Sequence, residues 1–362
     1  PSPAACAGAR RTGDAAAGSA GDRPPRMGSA PSSPTAVDGR PRPASTIEDP
    51  VDLRPIDGVD NPVVTAADVT DFGSARFVAD PFLLAEGNAV HLFFEVFNRN
   101  RTPTAAIGHA TSPDGGRTWA YDRIVLAEPV HLSFPYVFAH GGDHYMIPDK
   151  WMRERGEAAP IELYRARRFP TAWEPVATIA APDDPLHDCV VFRREGRWWA
   201  LAGDGTDLHV FVSADLERDG WRPHPDNPVV SDRPTAARPG GRPVVRPDHV
   251  LAYFQDCAGA YGRKLRAYRI TTLTEDRYED REVAASPVLE GSSAAVGWNS
   301  GRMHHADPLA TDGGWLCAVD GNVGLRWGVF GKYHWAIGMY GAAAPQASTS
   351  TPPPTPSGGR RG

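Results

Sequence analysis

Cysteine is scarce in this 362-residue chain: four residues, Cys6, Cys189, Cys257 and Cys317, with no CxxC pair. That count excludes a disulfide scaffold and gives no zinc-finger spacing. No run of 18 apolar residues exists, so no membrane-spanning helix is expected and membrane insertion is not. The N-terminus lacks an apolar signal-peptide core, which makes the cytoplasm the expected compartment; the chain opens on Pro1 rather than Met. Positive charge is also lacking. The net charge is -6, and the first fifty residues carry six Arg against five acids, so the middle of the chain is more acidic than the total suggests. A nucleic-acid partner is therefore not expected. The two ends lack large apolar residues: residues 1–50 hold one Ile, one Val and no Leu, and 342–362 hold none at all. Neither end can offset its chain entropy by burial, so disordered tails are expected over 1–50 and 342–362, flanking one folded domain at 51–341. All 10 Trp, 10 Tyr and 13 Phe lie between Phe72 and Tyr340.

What the middle does hold is a repeat. ADPFLLAEGNAVHLFFE (79–95), SFPYVFAHGGDHYMIPD (133–149), HDCVVFRREGRWWALAGD (187–204) and GRPVVRPDHVLAYFQD (241–256) share one form, and HADPLATDGGWLCAVDG (305–321) repeats it. Each has a polar start, an apolar strand, a turn with Gly, Asp or Asn, and a second strand that ends on a carboxylate. The Pro or Cys after the polar start falls at 81, 135, 189 and 243, three spacings of 54, with Pro308 after 65 more. Third strands follow as AAIGHATS, IELYRARR, LHVFVSAD and LRAYRITT; fourth strands begin at Trp119, Trp173, Trp221 and Tyr278. SPDGGRTW (112–119) is an Asp-box turn, a structural device. Short strands at regular spacing, without a helical apolar period, predict an all-β fold: a five-bladed β-propeller with four antiparallel strands per blade. DNPVV occurs twice, at 226–230 in the third blade and at 60–64 ahead of the first. Residues 61–68 are therefore expected to supply the outer strand of the last blade and to close the ring.

The starts and ends of the inner hairpins converge on one mouth of a propeller. Here they are Asp80, Glu95, His131, Asp149, His187, Asp188, Asp204, Arg242, Gln255, Asp256, His304, His305, Asp307 and Asp320. A carboxylate-rich funnel suits sugar chemistry, because carboxylates bind hydroxyl pairs and two of them divide acid and base roles. Tyr136 and Tyr261 are candidate stacking faces; Trp198 and Trp199 are expected to pack between blades.

VADPFLL followed by VHLFFE resembles the first blade of five-bladed glycosidases of the arabinanase/xylosidase and invertase type. NPVVTAADV, FVADPFLL, HLSFPYVF, FQDCAGAYG with LRAYRI, and the final VDG resemble more closely, over about 60–325, the N-terminal domain of plant glucosamine inositolphosphorylceramide transferases and its bacterial relatives. Glycosyl transfer belongs to a separate C-terminal domain in the plant proteins, so the resemblance does not imply transfer here. The glycosidase resemblance implies Asp80 as general base and Asp188 as the residue that tunes the acid. It places the acid where this chain has Arg242, which cannot donate a proton near neutral pH. The invertase pattern is met by Asp188-Cys189, but Ser133-Phe134-Pro135 replaces its Arg-Asp-Pro. Asp256, or Glu95, is then the candidate acid, and the catalytic set is Asp80, Asp188 and Asp256. Substrate-binding candidates are Glu95, His131, Tyr136, Asp149, His187, Arg242, Gln255, Tyr261, His304, His305 and Asp320, with Arg242 facing Asp188, Asp256 or an anionic sugar. No cofactor is required; the resemblance implies a structural Ca2+ in the central channel, near the blade-five histidines. Three readings remain open: a glycosidase-like hydrolase, a non-catalytic carbohydrate-binding propeller serving a glycan-processing partner enzyme, and a bare interaction scaffold.

Overall fold

The structure is a computed structural model that describes residues 47–151, 158–218, 220–292, 294, 296–324 and 334–343. The expected tails lie outside the described residues, apart from 47–50 and 342–343. Five antiparallel sheets form the blades. Blade 1 comprises Phe77–Glu86, Ala89–Phe97, Ala105–Ser112 and Ala120–Leu126. Blade 2 comprises His131–His140, Asp143–Trp151, Ile161–Arg168 and Ala172–Ala180. Blade 3 comprises His187–Arg194, Arg197–Gly203, Leu208–Ser213 and Arg222–Pro223. In blade 4 the inner strand is split into Arg238–Pro239 and Val244–Val245, both paired to Val250–Asp256, with Lys264–Leu273 and Tyr278–Glu282 outside. Blade 5 comprises Ala306–Thr311, Gly314–Asn322, Trp335–Ala343 and, from the N-terminus, Arg54–Pro55. The only helix among the described residues is a 3-10 turn at Ala66–Asp68.

Apolar runs form the inner strands because both faces are covered by neighbouring blades. Phe82, Phe93, Leu132, Met146, Val190 and Phe254 belong to one such cluster, and Trp198 and Trp199 are buried in it. The repeated aromatic before each outer strand has one job in three blades. The indole N–H donates to a carbonyl of the preceding turn: Trp119 to Gly116, Trp173 to Pro170, Trp221 to Leu216. In the 112–119 turn, the Asp114 carboxylate accepts from the Arg117 and Thr118 amides and the Ser112 and Thr118 hydroxyls.

Closure works through the duplicated DNPVV, with one correction. Asn227 accepts from the Val210 N–H (2.8 Å) and donates to the Val210 carbonyl (2.7 Å), beside a bridge between Leu208 and Val230. Asn61 does the same to Met339 at 2.7 and 3.1 Å, beside a bridge between Val64 and Ile337. The same five residues thus make the same clasp on the third strand of their blades. Residues 61–68 nevertheless do not form a strand. Past Val64, the Asp68 carboxylate accepts from the Thr65 N–H and hydroxyl and the Thr65 oxygen accepts from the Ala67 N–H, a capping box that turns the chain away. The outer pairing comes from Arg54–Pro55 instead.

Ile47, four residues before the expected boundary of the folded domain, is buried. The Glu48 and Pro50 carbonyls accept from the Trp315 indole and the Tyr253 hydroxyl, both at 2.7 Å. Between them the buried Asp49 carboxylate meets Arg246 (2.9 Å), His249 (2.9 Å) and Arg269 (2.8 and 3.0 Å). Burial pulls the Asp49 pKa up, but its bonds to Arg246, Arg269 and His249 outweigh this and hold it below the ordinary value. Blade 4 meets blade 5 at Gly241, where a Cβ would stand 1.8 Å from the Ala306 carbonyl oxygen. Only glycine permits that approach.

Candidate functional site

The 54-residue spacing reappears in the backbone. Asp80, Phe134 and Asp188 have positive φ (52, 44 and 56°), each at a break in the pairing of its inner strand. A left-handed non-glycine residue costs about 1–3 kcal/mol. Here it re-aims the side chain, as bulges beside functional sites do. In blade 2 the residue is Phe134, packed edge-on to Phe82 and His305.

Arg242 lies beneath, as a floor. Its guanidinium donates to Asp307 (2.7 and 3.3 Å) and to the carbonyls of Leu83 (3.0 Å) and Val137 (2.8 Å), while Asp307 also accepts from the Leu83 N–H (2.6 Å). One side chain from blade 4 thus ties the inner strands of blades 1, 2 and 5. Burial pushes the Asp307 pKa up to about 6 against the pull of Arg242, which leaves the carboxyl ionised at neutral pH. The expected partners of Arg242, Asp188 and Asp256, are engaged elsewhere.

A ring of acid–base pairs surrounds Asp80. Asp320 holds His304 through Nδ1 (2.8 Å) and also accepts from the Asp80 N–H (3.2 Å). Asp149 holds His187 through Nδ1 (3.2 Å) and accepts from the Asp188 N–H (3.4 Å). The seams between blades 5 and 1 and blades 2 and 3 therefore use one device, an acid that pairs a histidine and caps the left-handed Asp. Glu95 meets His131 at 3.3 Å. Asp188 is bound by Arg238 (2.5 and 3.2 Å) and by the Gln255 amide (2.5 Å). Burial works against both charges of the Asp149–His187 pair, but their mutual bond prevails, lowering the Asp149 pKa and raising that of His187. Asp80 stands apart: its Oδ1 is buried and has no hydrogen-bond partner among the described residues. Burial, then the charges of Glu95, Asp320 and Asp188, raise its pKa well above the usual carboxylate range. Tyr261, 44% exposed, marks the open side, its ring edge-on to His304 and beneath the Arg238 guanidinium. Trp335 stacks on His304 at 4.3 Å, and the exposed Trp151 stands edge-on to His131 and His187.

The structure thus gathers Asp80, Glu95, His131, Asp149, His187, Asp188, Gln255, Tyr261, His304 and Asp320. Other candidates stand elsewhere. Asp256 is committed to Arg266 (2.9 Å) and the Ala258 N–H (3.1 Å), because neighbours on a strand face opposite ways and Gln255 takes the inward place. Asp204 folds onto its own turn, accepting from the Thr206 and Asp207 amides. Tyr136 is buried, its hydroxyl donating to the Val191 carbonyl, and offers no stacking face. His305 lies in the core against Phe82 and Phe134, and burial pushes its pKa down to about 3, so it is neutral. Arg238 went unnoticed in the sequence; its signal was an Arg just before Gly240-Gly241, where the strand breaks.

The cation that the resemblance implies near the blade-five histidines would be held by Asp80, His304 and Asp320, which each offer one ligand atom within 4.8 Å of the others; Arg242 and Asp307 are paired to each other.

The fold is that of the five-bladed glycoside-hydrolase propellers. The chain aligns with a glycosyl hydrolase from Bacteroides ovatus at TM-score 0.59 and 13% identity, covering 81% of this chain and 95% of that one. It aligns with the catalytic domain of a GH62 alpha-L-arabinofuranosidase from Coprinopsis cinerea at TM-score 0.58 and 13% identity, covering 81% and 98%. Sequence narrows the assignment: residues 47–322 match the family described as glucosamine inositolphosphorylceramide transferase 1, N-terminal, and the chain belongs to that family. Its relatives include glucosamine inositolphosphorylceramide transferase 1 of Oryza sativa subsp. indica, 35% identical over 295 residues, and that of Arabidopsis thaliana, 36% identical over 275. These matches cover 75% and 73% of this chain but only 38% and 35% of the relatives.

Proposed function

We propose that the ring around Asp80 binds a glycan and that this domain holds the glycan for a partner glycan-processing enzyme. The supporting observation is Asp80 itself, a buried carboxyl whose Oδ1 accepts no hydrogen bond among the described residues, encircled by acid–histidine and acid–arginine pairs beside the open face of Tyr261. Paired acids and cations offer donors and acceptors at fixed positions, the pattern that hydroxyl groups need, and an exposed ring supplies a stacking face. The plant relatives bear a transferase name over chains of which this region covers little more than a third, which suits a recognition role beside separate chemistry. A glycan array probed with wild type, Asp80→Asn and Tyr261→Ala tests the reading. Binding of a defined glycan set by wild type that both variants lose supports it; identical profiles from all three defeat it.

One observation favours a second reading, hydrolysis: Asp80 and Asp188 sit on the same left-handed turn at the starts of their inner strands. Against it, blade 4 supplies no acid, because Arg242 is locked to Asp307 and Asp256 to Arg266. Aryl-furanoside and aryl-pyranoside release by wild type that drops at least ~100-fold in Asp80→Asn would establish hydrolysis over binding alone.

A further inference from the structure

We propose that a groove on blade 4, between Arg269, Arg281 and Thr271, binds a phosphate monoester. The groove holds about 530 Å³, and none of the residues that line it belongs to the ring around Asp80. Arg269 and Arg281 stand directly opposite each other on the paired strands Lys264–Leu273 and Tyr278–Glu282. Like charges in that position destabilise a sheet unless an anion stands between them. Arg281 is exposed and makes no ion pair or hydrogen bond among the described residues. Arg269 gives Nε and Nη2 to Asp49 (3.0 and 2.8 Å), but Asp49 also serves Arg246, so one carboxylate answers two guanidiniums and positive charge remains. The rim acids are engaged: Glu282 with Arg266 (2.8 Å) and Asp248 with His249 (2.9 Å).

The second, independent observation is a bulge at the same place. Ile270 pairs with Asp280 and Thr272 with Glu279, so Thr271 is the extra residue of its strand. A bulge re-aims its side chain, and here it brings Thr271 into the lining of the groove. The Thr271 hydroxyl has no hydrogen-bond partner among the described residues. Two guanidinium forks and a hydroxyl form a donor set for an anion with three terminal oxygens. A phosphate monoester has three, whereas a carboxylate has two. The groove is larger than one phosphate, and Val283 and Ala284 give it an apolar wall for the organic part of the ester. A soluble metabolite and a lipid headgroup both present this group.

The test uses the full chain, titrated with glucose 6-phosphate by calorimetry and sedimented with phosphatidate-containing phosphatidylcholine vesicles. Wild type is compared with Arg281→Gln, Thr271→Val and Arg193→Gln, the last removing an exposed arginine of blade 3. At least one probe should bind wild type, about tenfold or more weaker in Arg281→Gln and about threefold weaker in Thr271→Val, with Arg193→Gln unchanged. The probe that binds distinguishes a soluble ester from a lipid headgroup. A soluble ester at a hundredfold excess over Kd should raise Tm by about 5 °C. Without phosphate, Arg281→Gln should melt no lower than wild type, because it removes one of two facing like charges. A wild type that binds neither probe, or an Arg193→Gln variant that loses as much affinity as Arg281→Gln, would overturn the site. A lower phosphate-free Tm for Arg281→Gln would contradict its like-charge premise.

Discussion

Two aspartates with covered side chains, Asp49 and Asp80, are treated in opposite ways by the same fold. Asp49 reaches three basic side chains, Arg246, His249 and Arg269, and fastens the segment ahead of the first blade to blade 4. Asp80, at the start of the inner strand of blade 1, has an oxygen that accepts no hydrogen bond among the described residues and is surrounded by further acids. A fold that satisfies one carboxylate so fully leaves Oδ1 of the other without a hydrogen bond among the described residues. The proposed glycan-binding role rests on this contrast between a paired acid and one left bare among other acids. Asp49 lines a groove with Arg246, His249 and Arg269, but its carboxylate is already bonded to those three side chains.

The largest expected effect is at Asp49. Asp49→Ala removes one partner of a buried charge cluster and should cost about 3 kcal/mol of stability at pH 7, measured by chemical denaturation. Asp80→Asn should behave in the contrary way, leaving stability within about 0.5 kcal/mol of wild type or raising it, because it discards an unpaired acid. Equal losses from the two substitutions would break the comparison.

Acid sharpens it. The Asp49 pKa is depressed in the folded state, so its stabilisation is complete above the ordinary carboxylate value of 3.8 and disappears as pH falls through the folded value. The penalty of Asp49→Ala should therefore shrink steadily below pH 3.8 in a denaturation series. The Asp149–His187 pair is the intermediate case. Its Asp is depressed and its His raised, so its contribution is fullest between the ordinary values of 3.8 and 6.5. It fades as pH rises through the His187 value and as pH falls through that of Asp149. His187→Gln should cost about 1 kcal/mol inside that window and progressively less on either side.

How much of this the sequence disclosed follows from the range of each interaction. The blades were legible because their signal is local: apolar strands, turns and a 54-residue step, which returns as the left-handed positions 80, 134 and 188. The duplicated DNPVV predicted a shared role, and both asparagines perform it. The extent of the closing strand was not legible, since a four-residue capping box at Thr65 overrides it. In blade 4, spacing pointed to Arg242, yet the break around Gly240 and Gly241 sends Arg238 to Asp188 and Arg242 to the floor. Gln255 and Asp256 are adjacent, and only the register of the strand shows which faces inward. Asp49 was invisible for a different reason. It sits in a segment with too few apolar residues to advertise packing, and its partners lie roughly two hundred residues away.

The most direct measurement is glycan-array binding by wild type beside Asp80→Asn, with folding of both verified by their denaturation curves. The account predicts a defined set of glycans retained by wild type and lost by Asp80→Asn at unchanged stability. A wild type that binds no glycan, or a variant that binds the same set equally well, would contradict it.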